Sequence, residues 1–311
     1  METPLPEVLV LYGGLGAERE ISLRSGKAFY SALKNQGKYS IRLLDWKGES
    51  IVGLIDSKKS IVFPALHGTS GEDGTVQEML ENLGIHYAGA DSVTSSLCID
   101  KIATKKALFS LNIDLAKDLI WEEGNDYTWS EIQDCLGTPV IVKPNASGSS
   151  VGLAVLHSEN DFIDFKNDLS LPFPLLLESY LPGLDLTVGV VSGCSYGVIG
   201  IKPSGGLYDY DHKYSIGNTV YQCPAIISDE IEKKIQIQAQ EIVSYLGIRD
   251  FCRIDFKQNA SGTPVFLEIN TLPGLSETSL LPKSLACKGI CFKELCLLLL
   301  KPVLERFMSV K

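Results

Sequence analysis

The residues best equipped for chemistry lie close together between positions 253 and 280. Arg253-Ile254-Asp255-Phe256 is followed by a polar loop and then by Phe266-Leu267-Glu268-Ile269-Asn270-Thr271-Leu272-Pro273-Gly274. Side chains two apart in a strand share a face, so Arg253 and Asp255 point one way and Ile254 and Phe256 the other. Glu268 and Asn270 likewise share a face, opposite Leu267 and Ile269. Between the two segments, Gln258-Asn259-Ala260-Ser261-Gly262 is turn chemistry, which predicts a hairpin. Two carboxylates, an amide oxygen and a guanidinium would then occupy one surface. Oxygen-only donors of this kind suit a hard cation such as Mg²⁺ held between protein and phosphates. Alternation alone equally describes an amphipathic hairpin whose polar face meets water. The Asn-Thr-Leu-Pro-Gly run favours a site, since it ends the strand abruptly and sets the backbone amide of Gly274 beside the acidic face.

The chain that must position these groups has 311 residues, enough for two or three lobes rather than one core. Its apolar content of 45% and charged content of 21% are those of an ordinary globular protein. A net charge of −10 argues against nucleic acid as a partner, while leaving room for an anionic small ligand met by local lysines. The eight cysteines form no CxxC pair, and Cys287, Cys291 and Cys296 are spaced as on one helix. They read as buried free thiols in a reducing compartment rather than a metal–thiolate site. No signal-peptide layout opens the sequence, and its longest apolar run, Leu295 to Leu300, is too short to cross a bilayer. The expectation is a cytoplasmic protein with no membrane partner.

From the N-terminus, Glu7 to Tyr12 reads as a buried strand of a parallel sheet, broken by Gly13-Gly14 and followed by a helix from Ala17 to about Leu33. This is the anion-binding opening of a doubly wound α/β fold. Gly14-Leu15-Gly16 lacks the third glycine of a dinucleotide motif, so a nicotinamide cofactor is not expected. Glu18, in the first helical turn, either pairs with the helix dipole or holds a cationic amine. Ile61 to Leu66 is a second buried strand. It leads into His67-Gly68-Thr69-Ser70-Gly71-Glu72-Asp73-Gly74, where open α/β sheets keep their ligands. His67 reads equally as a hydrogen-bonded loop histidine. A helix over 75–83 and a short strand near Tyr87 close this region.

Further on, a helix over 101–111 carries Lys101, Lys105 and Lys106, read as mostly solvated. The strand 139–144 ends at Lys143, and Asn145-Ala146-Ser147-Gly148-Ser149-Ser150-Val151-Gly152 follows. Small residues after a basic strand end offer amides that can cover phosphates. This is not a Walker loop, because the GxxxxGK[ST] order is missing. Strands over 175–181 and 183–191 carry Glu178 and Asp185 in apolar surroundings, which suits hydrogen bonding to a purine and a ribose. The aromatic and charged stretch Leu207 to Tyr214 reads as a lid. A helix over 229–246 begins with acids, stops at Gly247 and packs on a sheet, and an apolar helix from Phe292 to Val303 closes the chain.

Taken in order, these motifs resemble those of the D-alanine–D-alanine ligase family of the ATP-grasp superfamily. The resemblance is carried by residues 13–22, by Leu66-His67-Gly68 with Gly71-Glu72-Asp73-Gly74, and by Asp100-Lys101 and Val142-Lys143-Pro144. Gly148-Ser149-Ser150-Val151-Gly152, Tyr208-Asp209-Tyr210 with Lys213-Tyr214, and Arg253-Ile254-Asp255 with Glu268-Ile269-Asn270 continue it. It implies an α/β ATP-grasp architecture: an N-terminal doubly wound lobe (1–97), then central (98–183) and C-terminal (184–311) lobes that clamp ATP. It implies ligation of two D-alanines through an acyl phosphate, for peptidoglycan precursors. By matching motif, Lys101, Lys143, Ser149, Ser150 and Lys213 would meet the phosphates, and Glu178 and Asp185 the adenosine. Asp255, Glu268 and Asn270 would hold two Mg²⁺ or Mn²⁺ ions. Glu18, with Ser149 and Tyr214, would grip the first D-alanine beside His67. Arg253 and Gly274 would stabilise the oxyanion, and Ser279 and Leu280 would receive the second carboxylate. A homodimer is expected of the family.

The chain departs from the family pattern twice, with Ser147 and Asp185 where glutamates are usual. Three rival readings stand beside this one. An ester-forming D-alanine–D-lactate ligase is disfavoured because His212-Lys213-Tyr214 is similar to the peptide-forming type. The Glu18 motif speaks against an ATP-grasp enzyme acting on another carboxylate, such as a biotin-dependent carboxylase subunit. A non-catalytic binding module would have no need of Arg253 as an oxyanion donor.

Overall fold

The structure, a computed structural model, describes residues 5–16, 18–35, 37–148, 151–203 and 219–309. The first apolar run forms β1 (Glu7–Gly13), which lies between β2 (Ile41–Trp46) and β3 (Ser60–Pro64) in an all-parallel sheet. Both faces of such a sheet are covered, so its central strand is apolar on both sides. Val8 and Val10 face α1 (Arg19–Lys34), where Phe29 stacks on Phe63, while Leu9 and Leu11 face α2 (Thr75–Asn82) through Val76 and Leu80. The last helix of the chain, α9 (Phe292–Ser309), returns to this first core through Leu295, Leu299, Val303 and Phe307.

Two short helices cross to the second sheet: α3 (Ser92–Ile99), capped by Asp91, and α4 (Lys101–Leu108), capped by Asp100. The stretch 91–100 is thus largely helical, and α4 stops three residues before the expected Leu111. The second sheet is antiparallel, with order β4 (Asp118–Trp121), β7 (Leu175–Ser179), β5 (Val140–Pro144) and β6 (Ala154–Leu156). α5 (Trp129–Leu136), which starts on a Thr128/Glu131 capping box, and α6 (Glu159–Asn167) bury one of its faces.

In the third sheet the order is β10 (Thr219–Gln222), β9 (Cys194–Pro203), β8 (Asp185–Val191), β11 (Phe251–Gln258) and β12 (Pro264–Asn270), again antiparallel. α7 (Asp229–Leu246) covers one face with Ile235, Ala239 and Ile242, and ends at Gly247 with φ +68°. On the other face lies α8 (Leu280–Ala286). It comes this near because Gly189 and Gly197 lack side chains: a Cβ there would stand 2.6 Å from Leu281 and 2.4 Å from Cys287.

Two expectations need correction at this level. The hairpin of β11 and β12 forms, but its register shifts between Asp255 and Phe256, so that Asp255 opposes Glu268 while Phe256 opposes Phe266. The extra residue, Leu267, is pushed onto the side of Ala116 and Leu181, and Phe266 joins Ile269 in the core in its place. The cysteines are also not all free buried thiols. Cys223 and Cys287 form a disulfide, and Cys135, Cys194 and Cys291 are exposed. Only Cys98, Cys252 and Cys296 behave as small hydrophobes, and burial raises all three thiols, to about 12 for Cys98 and Cys296. Thiol titration of the unfolded, unreduced protein is expected to find six reactive cysteines of the eight. A count of eight would remove the disulfide from the native molecule.

A polar staple joins the first sheet, the third and α9. Asp250, at φ +63°, accepts from Arg306 at 2.5 and 2.7 Å and from the Gly89 amide at 2.9 Å. Arg249 donates to the Gly89 carbonyl at 2.7 Å and lies over the Tyr87 ring. Replacing Asp250 by Ala takes the acceptor from the buried Gly89 amide and the carboxylate from Arg306, which keeps its bond to the Tyr87 carbonyl at 2.8 Å. It is expected to lower the thermal midpoint by roughly 5 °C, and a shift under about 1 °C would show the staple to be dispensable.

Candidate active site

Loops at the ends of β1, β3 and β5 meet the polar face of β11 and β12 around a cavity of about 500 Å³. Glu18, His67, Lys101, Gly148, Arg253, Glu268, Asn270, Gly274, Ser279 and Leu280 all contribute to its walls. A narrower slot of about 130 Å³, between the second and third sheets, is lined by Lys143, Glu178, Asp185, Asp255 and apolar side chains. Lys101, Ser147 and Glu268 line both spaces. The two therefore meet at one corner.

The hairpin places its groups as its alternation requires. Arg253 pairs with Asn270, and Asp255 with Glu268, in adjacent positions of neighbouring strands. Arg253 donates Nε and Nη2 to the two Asp255 oxygens, each at 2.9 Å, and the Thr187 hydroxyl adds a bond of 2.5 Å to Asp255 Oδ1. Glu268 lies 3.4 Å from the Lys101 ammonium, and Asn270 Oδ1 accepts from the Leu272 amide at 3.0 Å. Among the described residues, no cluster of three His, Cys, Asp or Glu side chains suited to a metal occurs. The third oxygen of this face belongs to Asn270, an amide.

Lys101 and Lys105 are not solvated: they are 7% and 6% exposed. The Lys101 ammonium donates to the Ser147 carbonyl at 2.6 Å, and Asn145 fastens the start of α4 by accepting from the Ile102 amide at 2.9 Å. Glu178, 4% exposed, lies between Lys105 at 2.6 Å and Lys143 at 2.5 Å. Burial alone would raise its carboxyl, yet the charges of Lys143 and Lys105 prevail and hold it below the ordinary range. A lowered carboxyl contributes stability above its unfolded value and loses it as pH falls through the folded one, so Glu178 stays ionised throughout neutral pH. Asp185 pairs with Lys257 at 2.6 Å.

Across the larger cavity, Glu18 occupies the N-cap position of α1, but its carboxylate caps no helix amide. It lies instead against Gly68, where a Cβ would come within 2.4 Å of Glu18 Oε2. Ser22 accepts from the Gly13 amide at 2.8 Å and donates to the Ala65 carbonyl at 2.6 Å, which fixes the loop before Glu18 against the end of β3. His67 is buried, with Nε2 3.0 Å from the Ser25 hydroxyl and Nδ1 3.8 Å from Glu72. Gly274 approaches Ser279 so closely that a Cβ would stand 2.9 Å from its hydroxyl. That hydroxyl bonds to Ser276 Oγ at 2.7 Å.

Ser149, Ser150, Lys213 and Tyr214 lie outside the described residues. The whole stretch expected as a lid, Leu207 to Tyr214, lies outside them too, while every other residue to which the family motifs assign a role lines one of the two cavities. Lys105, Thr187, Glu72 and Lys257 were missed as members of the site. Lys105 stands one helical turn after Lys101, a spacing that could have marked it. Thr187 reaches Asp255 only through the register of β8 on β11, which no local pattern announces.

Comparison with known proteins bears on the whole chain. A family model described as the D-ala D-ala ligase C-terminus matches residues 113–301, and one for the N-terminus matches residues 46–90. The D-alanine–D-alanine ligase of Aquifex aeolicus is 41% identical over 295 residues, 93% of this chain and 97% of that one. Its counterpart from Mannheimia succiniciproducens is 37% identical over 306 residues, covering 96% of this chain and 98% of its own. Among solved structures, the Bacillus anthracis D-alanine–D-alanine ligase complexed with ATP has a TM-score of 0.81 at 26% identity, covering 98% of this chain and all of that one. The VanG D-Ala:D-Ser ligase of Enterococcus faecalis reaches 0.84 at 27%, with coverage of 96% and 99%. These likenesses bear out the α/β, ATP-grasp architecture expected from the motifs. With one model spanning more than half of the sequence and relatives this similar over nearly all of it, the chain belongs to the D-alanine–D-alanine ligase family.

Proposed function

We propose that the chain joins two D-alanine molecules into D-alanyl-D-alanine, with conversion of ATP to ADP, for peptidoglycan precursor synthesis. The observation that carries this reading is the corner at which Lys101, Ser147 and Glu268 belong to both cavities. A nucleotide in the slot would direct its terminal phosphate towards the larger cavity, where two small zwitterions fit. In this reading the three sheets are the cores of lobes bounded near 97/98 and 183/184, with α9 returning to the first.

A carboxylate is a poor electrophile, so the first D-alanine is activated by phosphorylation of its carboxylate, which gives an acyl phosphate. Lys101 and Lys143 neutralise charge on the phosphates, while Glu178 and Asp185 receive the adenosine. Glu18, beside Gly68 and His67, holds the first ammonium. The second amine, in its neutral form, then attacks the acyl carbon, Arg253 with the Gly274 amide carries the oxyanion, and collapse breaks the acyl C–O bond, releasing inorganic phosphate and a proton as the peptide bond forms. Ser279 and Leu280 hold the second carboxylate. Asp255, Glu268 and Asn270 present oxygen donors on one face, which fits Mg²⁺ or Mn²⁺; such ions would neutralise charge on the transferring phosphoryl group. We further read the active form as a cytoplasmic homodimer, a mass that light scattering would check.

The deciding experiment is a coupled assay of ADP release over a panel of D-amino and D-hydroxy acids. ADP release that strictly requires D-alanine, with one dipeptide formed per ADP, is the expected result. Release with other amino acids but none with D-alanine would overturn the substrate. The D-serine and D-lactate arms report the selectivity of the second site.

A further inference from the structure

Behind the nucleotide slot lies a group of four charges that the proposed reaction uses only in part: Lys105 and Glu178 are buried, Lys143 is largely so, and Asp118 stands at the exposed end of β4. Asp118 and Glu178 stand directly opposite each other on β4 and β7. Like charges in such a pair repel, and the burial of Glu178 strengthens the repulsion on its side. Lys105, reaching across from α4, resolves it. Its ammonium donates to Asp118 Oδ1 at 2.6 Å, to Glu178 Oε1 at 2.6 Å and to the Ala116 carbonyl at 2.9 Å. An ammonium has three N–H donors, and all three are engaged.

The second Glu178 oxygen, Oε2, is held by Lys143 at 2.5 Å. Glu178 and Lys143 both line the slot, whereas Lys105 and Asp118 do not. The two lysines therefore differ in kind. Lys105 is saturated and shielded from any ligand, while Lys143 borders the space that a nucleotide would fill. If Lys143 turns from Glu178 towards a phosphate, Glu178 keeps one cation and one strong donor. A buried carboxylate left with none would oppose that movement, because an uncompensated buried charge is costly.

We propose that Lys105 is a positioning residue for the nucleotide: by holding Glu178 Oε1 and separating it from Asp118, it fixes Glu178 in the slot and leaves Lys143 exchangeable. The inference rests on the reading that the slot takes ATP. Lys105 touches neither the substrate nor the reacting atoms. It acts through Glu178.

The test is a double-mutant cycle read by calorimetric titration with ADP on wild type, Lys105→Met, Glu178→Gln and the double variant, together with steady-state constants. Lys105→Met is expected to weaken ADP binding and raise KM for ATP by about 10- to 30-fold, with KM for D-alanine within about twofold. In the Glu178→Gln background the same substitution is expected to change ADP affinity by less than about twofold, because the group it positions is already neutral. Equal ADP affinity in wild type and Lys105→Met overturns the proposal. So does an undiminished Lys105→Met effect beside Glu178→Gln, which would mark Lys105 as a general structural support. Should Lys105→Met fail to fold, Lys105→Gln keeps a donor and loses the charge, and is expected to weaken ADP binding at least about fivefold. Wild-type protein that binds no nucleotide would overturn the function itself, an outcome the wild-type arm reports separately.

Discussion

Replacing Glu268 by Gln is expected to lower kcat by at least about 10³-fold while leaving the fold intact. Glu268 stands on β12 opposite Asp255, at the corner shared by both cavities. The substitution keeps size and one oxygen but removes the negative charge that would draw a cation to this face. Metal stabilisation of a transferring phosphoryl group supplies several kcal/mol, and each 1.4 kcal/mol or so is tenfold in rate. The structural cost is small by comparison. Glu268 is partly exposed, and Lys101, which would lose its charged partner at 3.4 Å, keeps its bond to the Ser147 carbonyl at 2.6 Å. Circular dichroism and a thermal melt close to wild type, with turnover lost, form the expected combination. A variant that retains near-normal kcat would show that the metal is not held by this carboxylate.

How much of this site could be read from the residues depends on the range over which each feature is decided. Arg253, Asp255, Glu268 and Asn270 were legible because two-residue alternation and a strong turn are local. The face of Leu267 was not, since a bulge belongs to the pairing of two strands and inverts every position beyond it. β2 escaped notice because Ile41-Arg42-Leu43-Leu44-Asp45-Trp46 is an edge strand, half-buried along most of its length, without the uniform apolar run of β1. Lys101 and Lys105 depart from their expected solvation for a related reason, while Lys106 is exposed as expected. A helix face tells which residues lie together but not what packs on them, and a buried carboxylate such as Glu178, on a strand far along the chain, is invisible to periodicity. The Cys223–Cys287 pair joins residues 64 apart, and its partners have no common local pattern. Motif order therefore supplied the family and the site list, whereas the charge pairing within the site came from tertiary structure alone.

Arg253 carries the second large effect, and the two halves of the reaction separate it from Glu268. Its Nε and Nη2 grip both oxygens of Asp255 while the side chain lines the larger cavity, so it is held rigidly where an oxyanion would form. Arg253→Met is expected to cut dipeptide formation by about 10²- to 10³-fold, the usual loss for one preorganised oxyanion donor. Phosphorylation of the first substrate does not need that donor. ADP should therefore continue to form and the acyl phosphate should pass to water, so the ratio of ADP to dipeptide rises well above one. Glu268→Gln, by contrast, should suppress both products together. Arg253→Lys is expected to recover little, because an ammonium cannot reproduce the planar fork on Asp255. Product counting by chromatography beside the ADP assay decides the matter. An Arg253→Met enzyme that slows both products equally, with their ratio still one, would move Arg253 from the oxyanion to the phosphoryl step; one that keeps its dipeptide rate would remove it from the chemistry.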